Sequence, residues 1–338
     1  MDNLTHSLVG ALLGQAGLKR KTALAMPTLI IAANIPDIDA ACFLWLEGAE
    51  HLAFRRGITH GPLAMLVLPV LLWAAMLGWD KWRRRGNVDR PAVHKGWLLT
   101  LAFIGTLSHP AMDWLNTYGV RLLEPFSSQW FYGDTLFIID VWLWAILIGG
   151  WFWSRRAEKR GGNWVRRGQI VATVAGLYIF ANGLLTGQAE AWAKRAVADQ
   201  GLVSTGFPYL FVASPEPLFF WERRILWRGN GMHGSGRYRL GLGGELFLDP
   251  RRGVTAHGAD LDWDFGIRTL AAENRELAAY LFWSRMPVAE PAGTPEDFTW
   301  YVSDQRYDDP LVVDTFTIRV PVTPAAKKRA LAEKAAEQ

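Results

Sequence analysis

The chain has 338 residues, half of them hydrophobic, with 18 tryptophans and a formal net charge of only +4. This length accommodates a membrane unit plus a soluble domain, and the tryptophan excess favours contact with a water–lipid boundary. The small net charge gives no signature of nucleic-acid binding. Cys42 is the only cysteine, which excludes an internal disulfide and a cysteine-ligated metal site, so any metal must be held by His, Asp or Glu.

Apolar runs separated by short polar pieces make up the first half of the chain. They cover residues 8–18, 23–35, 62–79, 98–107, 137–153 and 170–187. The long runs are apolar on all sides, which favours lipid over a soluble core. The first two are short enough for half-spanning helices. No basic region or cleavage site marks the first run as a signal peptide, so we expect a retained helix.

Basic residues are concentrated in three connecting segments, 19–21, 80–96 and 154–168. By the positive-inside rule these segments are cytoplasmic. Six passes follow, with the start of the chain and everything after Gly187 outside. We therefore expect a multi-pass protein of a bacterial-type inner membrane.

Beyond Glu190 the apolar runs are shorter, and Gly and Pro residues interrupt them. Segments 218–227, 238–248, 297–302 and 316–322 are strand-like. The predicted domains are a membrane domain at 1–188, a soluble extracytoplasmic domain at 189–323 and a polar tail at 324–338. The predicted fold is a mainly α membrane protein, a polytopic helical bundle of about six spans or half-spans, with a small C-terminal α+β or mainly β domain.

Four polar pieces, at residues 2–8, 34–39, 55–61 and 108–119, fall on one predicted side of the membrane. Imidazole and carboxylate together suit Zn²⁺, Mn²⁺ or Fe²⁺. On a helix, residues four apart share a face, and in an extended segment residues two apart do so; two carboxylates so placed repel unless a cation lies between them. The candidate metal ligands from these pieces are His6, Asp37, Asp39, His60, His109 and Asp113.

Other residues near these pieces are candidates for catalysis or for orienting the ligands. Asp37, His60 and Arg56 are the candidate catalytic residues, and Arg56 would act by binding a phosphate or another anion. The candidates for orienting ligands through hydrogen bonds are Thr5, Asn34, Thr59, Asn116, Asp134 and Asp140.

Simpler interpretations exist for each piece. Asp37 and Asp39 could cap a helix or form a turn, and His109 and Asp113 could be one buried hydrogen-bonded pair. Arg56 could be an ordinary interfacial arginine. A metal site explains their joint placement at one membrane face. Such a site also fits a transport or sensor protein without hydrolytic activity, and a scaffold that uses its outer domain for binding stays open.

The motifs T-H-S-L-x-G, N-x-P-D-x-D, R-G-x-T-H and S-H-x-x-x-D, beginning at residues 5, 34, 56 and 108, occur in this order. Over roughly residues 1–153 the chain resembles the YdjM-type (LexA-regulated) inner-membrane metal-dependent hydrolases. The resemblance implies hydrolase chemistry and the same six candidate ligands. The run 125–140, with Asp134 and Asp140, also resembles the family. A smaller similarity, to zinc-dependent phospholipase C and P1-type nucleases, directs the expected substrate toward phosphoesters.

The expected function is that of a membrane-bound hydrolase that cleaves an ester, with preference for a phosphoester of a lipid or amphiphile, by metal-activated water. One or two divalent ions are expected, zinc before Mn²⁺ or Fe²⁺. The expected partners are membrane lipids and a lipid-like substrate, with no nucleic acid. The site and the C-terminal domain are expected on the extracytoplasmic side.

Overall fold

The computed structural model describes residues 1–85, 91–200, 210–229, 232–248, 268–293, 298–308 and 313–321. Contacts between residues divide the chain into two compact units. The first unit comprises residues 1–41, 56–186 and 215–221. The second comprises residues 42–55, 187–214 and 222–338. The mainly helical character and the C-terminal β region are confirmed. The domain limits at 188 and 323 stay predictions, and the polar tail at 324–338 lies outside the described residues.

Helices dominate residues 1–200. Several begin at a polar side chain that accepts a backbone N–H of the first turn, as Asp2 does from Thr5 (3.0 Å) and Asp140 from Leu143 (2.7 Å). The described α-helices here are α1 (Asn3–Gln15), α2 (Ala25–Ala32), α3 (Glu50–Phe54), α4 (Pro62–Arg84), α5 (Lys95–Trp114), α6 (Val141–Lys159) and α7 (Trp164–Asp199).

Within the described parts of the chain, two helices, α4 and α7, are long and apolar enough to cross a membrane. A third candidate is the pair formed by α2 and the 3₁₀ segment Ile35–Leu44, which bend by 49° at a short break. With 13 residues, α1 is only about 20 Å long and cannot cross a hydrocarbon core of about 30 Å. The number of passes, six by sequence, stays a prediction.

Glycines allow α1 and α5 to pack closely on α2. A Cβ atom at Gly10 would lie 2.7 Å from the Leu29 carbonyl oxygen, and one at Gly105 would lie 3.0 Å from the same oxygen. His6 precedes Gly10 by four residues, and His109 follows Gly105 by four, so each histidine is one turn from the crossing. The two imidazole rings stack with centroids 3.7 Å apart. Close helix packing therefore brings together side chains about 100 residues apart in sequence.

Among its described residues, the second unit contains two β-sheets and the short helices α3, α8 (Arg268–Glu273) and α9 (Arg275–Trp283). The first sheet has the order β1-β2-β3-β4 and the second β5-β6-β7. The strands are β1 (Leu210–Pro215), β2 (Glu222–Gly229), β3 (Met232–Arg239), β4 (Gly243–Leu248), β5 (Pro287–Gly293), β6 (Phe298–Asp304) and β7 (Thr317–Pro321).

The sequence predicts one strand at 238–248, whereas the structure has the end of β3, a turn and β4. The reason is backbone conformation: Gly241 and Gly243 have φ of 78° and 79°, values that favour glycine and interrupt a strand. Arg239 pairs with Gly243 across the turn. Inside this unit, Ala189 and Ala193 of α7 pack with Ala213 and Ile225 of the first sheet.

Candidate metal centre

All six predicted ligands are buried in the first unit, on four separate elements. The exposed fractions are 0% for His109 and Asp113, 1% for His6 and His60, 5% for Asp39 and 8% for Asp37. Burying this many ionisable side chains together is costly unless they pair with one another or with an ion. The elements that carry them are α1, the 3₁₀ segment Ile35–Leu44, the 3₁₀ turn Ile58–His60 and α5.

Asp113 lies at the centre of the cluster. Its Oδ2 is 3.3 Å from His60 Nε2 and 3.6 Å from His109 Nε2, and its Oδ1 is 3.2 Å from His6 Nε2. The two Nε2 atoms of His60 and His109 are 3.1 Å apart, and Asp37 Oδ1 is 3.7 Å from the latter. Tetrahedral zinc with bonds of about 2.0–2.1 Å separates its ligand atoms by roughly 3.3 Å. The distances between these nitrogen and oxygen atoms are therefore close to the ligand–ligand distances of a tetrahedral zinc site.

Several buried polar atoms of the cluster make no hydrogen bond to the described residues, which favours a cation-binding site. Both ring nitrogens of His6 and the Oδ2 atom of Asp113 are buried without a hydrogen bond in the described structure, so their close approaches do not have hydrogen-bond orientation. Each such atom costs about 1–3 kcal/mol if nothing satisfies it. Two sets of ligand atoms, each within 4.8 Å, could hold a metal ion: His6, His109 and Asp113, and Asp37, His60 and His109.

The charge balance of the cluster also favours a cation. With neutral imidazoles, the three carboxylates exceed the single guanidinium, that of Arg56, by two negative charges. The Met1 amino group contacts Asp113 Oδ1. Burial, and then the nearby Arg56, lowers the pKa of this amino group from 8.0 to about 6, so it cancels little of that charge at neutral pH. A divalent ion would neutralise the remaining two charges.

Hydrogen bonds fix which nitrogen of each imidazole faces the cluster. His109 Nδ1 is 2.7 Å from the Ala33 carbonyl oxygen, which only accepts, so Nδ1 carries the proton and Nε2 is left as a ligand. His60 Nδ1 is 2.9 Å from Thr59 Oγ1. The Thr59 hydroxyl donates its proton to Asp39 Oδ2 at 3.1 Å, so it must accept from Nδ1. His60 Nε2 is therefore unprotonated as well.

In its described contacts, Asp39 is a hydrogen-bond partner of groups around the centre, and its place in the ligand set stays a prediction. Its Oδ2 accepts from the Arg56 backbone N–H at 2.7 Å and lies 3.7 Å from His60 Nδ1, and neither ligand set includes it. The expectation that Asp37 and Asp39 face the same way assumes an extended backbone, and this assumption is wrong. The segment is a 3₁₀ helix with about three residues per turn, so residues two apart point to different sides.

Arg56 is buried with its guanidinium directed at Asp113. Nε is 3.1 Å from Asp113 Oδ2, and Nη1 donates to Asn116 Oδ1 at 3.2 Å and to the Gly119 carbonyl at 3.3 Å. Asn116 Oδ1 also accepts the backbone N–H of Tyr118 at 2.8 Å, which closes the turn after α5. This places Arg56 and Asn116 together beside Asp113, with the guanidinium committed to protein atoms and not presented to an external anion.

Two other predicted supporting residues, Thr5 and Asn34, hydrogen-bond to residues of neighbouring helices. The Thr5 hydroxyl donates to Asp2 at 2.6 Å and accepts from Trp144 Nε1 at 2.8 Å, which ties α1 to α6. Asn34 Nδ2 donates to Ser7 Oγ at 3.1 Å, which ties the end of α2 to α1. Neither side chain contacts a ligand in these bonds, so both hold the helices and not the imidazoles.

The described contacts of Asp134 and Asp140 are also structural. Asp140 caps α6 through Leu143 and accepts the Tyr178 hydroxyl at 3.0 Å on both oxygens. The Asp134 carbonyl accepts the Thr186 hydroxyl at 2.7 Å. A carboxylate inside an apolar run requires a polar partner. For Asp140, the Tyr178 hydroxyl is such a partner.

Three groups that the sequence analysis did not select take part in the centre. They are the Met1 amino group, the Ala33 carbonyl and the Tyr118 ring, which lies under the Arg56 guanidinium at 4.4 Å. Every residue has backbone groups, so a sequence motif does not show which backbone amino group or carbonyl will contact the site. Tyr118 lies in the same polar piece as Asp113, and an aromatic ring at this position could have indicated a cation–π contact with a nearby arginine.

The Thr59 hydroxyl gives a direct test of the bond network. Thr59→Val keeps the side-chain shape but removes the group that joins His60 Nδ1 to Asp39. Because such supporting partners orient ligands, we expect metal affinity to fall roughly 10- to 100-fold with little loss of folded protein. Chelator competition measures the change. Thr173→Val, which removes an exposed hydroxyl bonded only to the Gln169 carbonyl among the described contacts, should leave affinity unchanged; an equal loss in both variants would contradict the assignment.

Comparison with known proteins agrees with the membrane unit and its motifs. A family model described as YdjM inner membrane protein matches residues 1–189, which is more than half of the chain and contains every candidate site residue. Searches of curated proteins and of solved structures found no match, so the similarity to phospholipase C and P1-type nucleases stays a prediction. The two long apolar helices and the family match identify a membrane protein. The chain belongs to the YdjM inner membrane protein family.

Proposed function

We propose that the protein is a membrane-bound, metal-dependent hydrolase that cleaves an ester bond, in the first place a phosphoester, of a lipid or amphiphile. The observation that carries the proposal is the convergence of the His60 and His109 Nε2 atoms on Asp113 Oδ2, a buried oxygen that accepts no hydrogen bond from the described residues. When bound there, a divalent cation supplies an activated water, whose pKa falls from about 16 toward 7, and polarises the ester oxygen.

The residues of this chain have distinct roles in the proposal. His6, His60, His109 and Asp113 would hold the cation, and Asp37 would complete the ligand set. Asp37 is the most exposed of the ligands, at 8%, so water and substrate reach the cation from its side. A carboxylate there can accept a proton from the attacking water. Arg56 stabilises the ionised Asp113 and is a positioning residue.

The ligand geometry limits how two ions could share the centre. Since His109 Nδ1 is bonded to the Ala33 carbonyl, this imidazole offers one nitrogen and serves one ion only. Asp113 offers two oxygens with different neighbours, Oδ1 toward His6 and Oδ2 toward His60. Asp113 is therefore the residue with an oxygen that would be available to a second ion. Nitrogen and oxygen ligands without sulfur suit zinc, with Mn²⁺ and Fe²⁺ as alternatives.

The charge distribution supports an extracytoplasmic site. Helix α4 starts at Pro62, two residues after His60, and its last turn carries Lys81, Arg83 and Arg84. Basic residues mark the cytoplasmic end of a span. His60 would then lie at the opposite end of α4, on the extracytoplasmic side of the inner membrane.

One observation favours the alternative, a metal-binding transport or sensor protein without hydrolytic activity. Every ligand is at most 8% exposed, and a closed site of this kind suits retention of an ion without turnover. The two functions share the metal centre and differ in whether a coordination position stays open to water.

Turnover by reconstituted protein separates these functions. Protein purified in detergent is stripped with chelator, reloaded with Zn²⁺, Mn²⁺ or Fe²⁺, and assayed on a chromogenic phosphodiester, a carboxyl ester and phospholipid in mixed micelles. We expect hydrolysis that returns with metal and is lost in His109→Ala. Stoichiometric metal without turnover on any substrate would favour the alternative, and a protein that binds no divalent metal would refute both. His94→Ala, at the exposed N-cap of the same helix, serves as the matched control.

A further inference from the structure

A cavity of about 810 Å³ lies within the first unit, beside α1. Its wall is mainly apolar, with Leu8, Ala11, Ile30, Ile148 and Phe152 among the lining residues. The volume is within the range of about 300–1,000 Å³ that is usual for small-molecule sites. From Ser7 to Gln15 the lining follows α1 for roughly 12 Å, and it continues past the end of the helix to Lys19, so the cavity is elongated.

One end of the cavity carries a cluster of charged side chains. Lys19 and Arg155 both pair with Glu158, each at 2.6 Å, and Lys19 lies over the Trp164 ring at 4.3 Å. Arg20 also lines this end and is exposed. Three cations against one carboxylate leave a surplus of two positive charges. We call Lys19, Arg20 and Arg155 the rim of the cavity. Because Glu158 pairs with two of these three side chains, the rim is an ordered group and not a set of separate surface lysines and arginines.

We propose that this cavity binds an anionic phospholipid, with an acyl chain along α1 and the phosphate at the Lys19–Arg20–Arg155 rim. An elongated apolar cavity with a cationic end complements a molecule with one apolar chain and one anionic head. An arginine suits the phosphate because its planar fork of donors matches phosphate oxygens. A free anion would use the rim but leave the apolar wall exposed.

The membrane position of the rim fits this ligand. The first turn of α7 contains Arg166 and Arg167, and the last turn of α6 contains Arg156 and Lys159, so the rim lies at the basic end of these helices. Basic pockets between transmembrane helices on the cytoplasmic side bind anionic lipid headgroups. This site does not include any candidate metal ligand, and the proposal does not depend on hydrolytic activity.

Native mass spectrometry of the detergent-purified full chain tests the proposal. Phosphatidylglycerol is compared with phosphatidylcholine of the same chains and with inorganic phosphate. We expect phosphatidylglycerol to bind preferentially and inorganic phosphate not to be retained. In Lys19→Gln/Arg155→Gln, phosphatidylglycerol binding should weaken about 25-fold, since each basic residue contributes roughly a fivefold factor. In Ile148→Trp, which narrows the apolar part, binding should fall with the rim intact.

The control is Lys81→Gln/Arg85→Gln, which removes two exposed charges at the end of α4 that do not line the cavity. This variant should bind lipid as the wild type does. Thermal unfolding of each variant identifies any that fails to fold, and if the Lys19/Arg155 variant does so, lipid binding by Ile148→Trp decides the question instead. Equal binding of both lipids, or wild-type binding by the Lys19/Arg155 and Ile148 variants, would overturn the proposal.

Discussion

Replacing Asp113 with asparagine is expected to remove most of the bound metal. Asparagine keeps the shape of the side chain but loses the negative charge that two imidazoles and one guanidinium surround. Loss of a supporting partner costs about 10- to 100-fold in metal affinity, so loss of this central ligand should cost at least the upper value. Elemental analysis of the purified protein and chelator competition measure the effect.

Asp113→Asn also leaves the buried Arg56 without its carboxylate, which can cost about 3–5 kcal/mol of stability. Asp37→Asn avoids this ambiguity, because Asp37 is the ligand with some exposure and its carboxylate faces His109 at 3.7 Å. We expect Asp37→Asn to lower metal affinity while the protein stays folded. Asp80→Asn provides a matched control, since Asp80 is a buried carboxylate paired with Arg83. Full metal content in both ligand variants would rule out the assigned centre.

Sequence spacing predicts much of this centre, because local geometry decides it. His109 and Asp113 are four residues apart on α5, and helical periodicity alone directs both to one face. His6 lies in a polar piece at the end of an apolar run, and the close contacts of Gly10 and Gly105 with α2 bring its helix close to the helix that carries His109. The need for two small residues at that crossing was not part of the prediction.

The details that the sequence does not predict depend on backbone conformation. Asp37 and Asp39 face different sides because a 3₁₀ helix replaces the expected extended segment. Arg56 has a φ of 55°, an uncommon value for a residue other than glycine, and its side chain is buried against Asp113. An arginine in a polar loop is usually exposed, so its inward position cannot be read from composition or spacing.

In the second unit, Asp304→Asn is expected to cause the largest loss of stability. Asp304 is 1% exposed and accepts two side-chain hydrogen bonds from Arg306, Nε to Oδ1 and Nη2 to Oδ2, both at 2.9 Å. It also accepts the backbone N–H groups of Arg285 and Met286 at 3.0 and 3.2 Å. Arg306 lies over the Trp283 ring at 4.9 Å. Removing the carboxylate takes the ion-pair partner Asp304 away from the buried Arg306 guanidinium, a change that costs about 3–5 kcal/mol.

Hydrogen exchange of β5–β7 measures this loss locally and does not require the whole chain to unfold reversibly. We expect faster exchange throughout these strands in Asp304→Asn. In Asp304→Asn/Arg306→Met the buried guanidinium is also absent, and methionine is apolar and unbranched, so much of the protection should return. Equal exchange in the wild type and in Asp304→Asn would show that the pair contributes little.

The same pair predicts how the second unit responds to acid. Burial alone would raise the pKa of the Asp304 carboxyl, but the Arg306 guanidinium and the hydrogen bonds that Asp304 accepts outweigh burial and lower it below the usual 3.8. A carboxyl whose pKa is lower in the folded state stabilises the fold fully above its unfolded pKa. This contribution is lost as the pH falls from about 3.8 through the folded pKa. Protection of β5–β7 should therefore decline over this range in the wild type and less steeply in Asp304→Asn/Arg306→Met, where no carboxylate titrates at this position; parallel declines would assign the acid sensitivity to other groups.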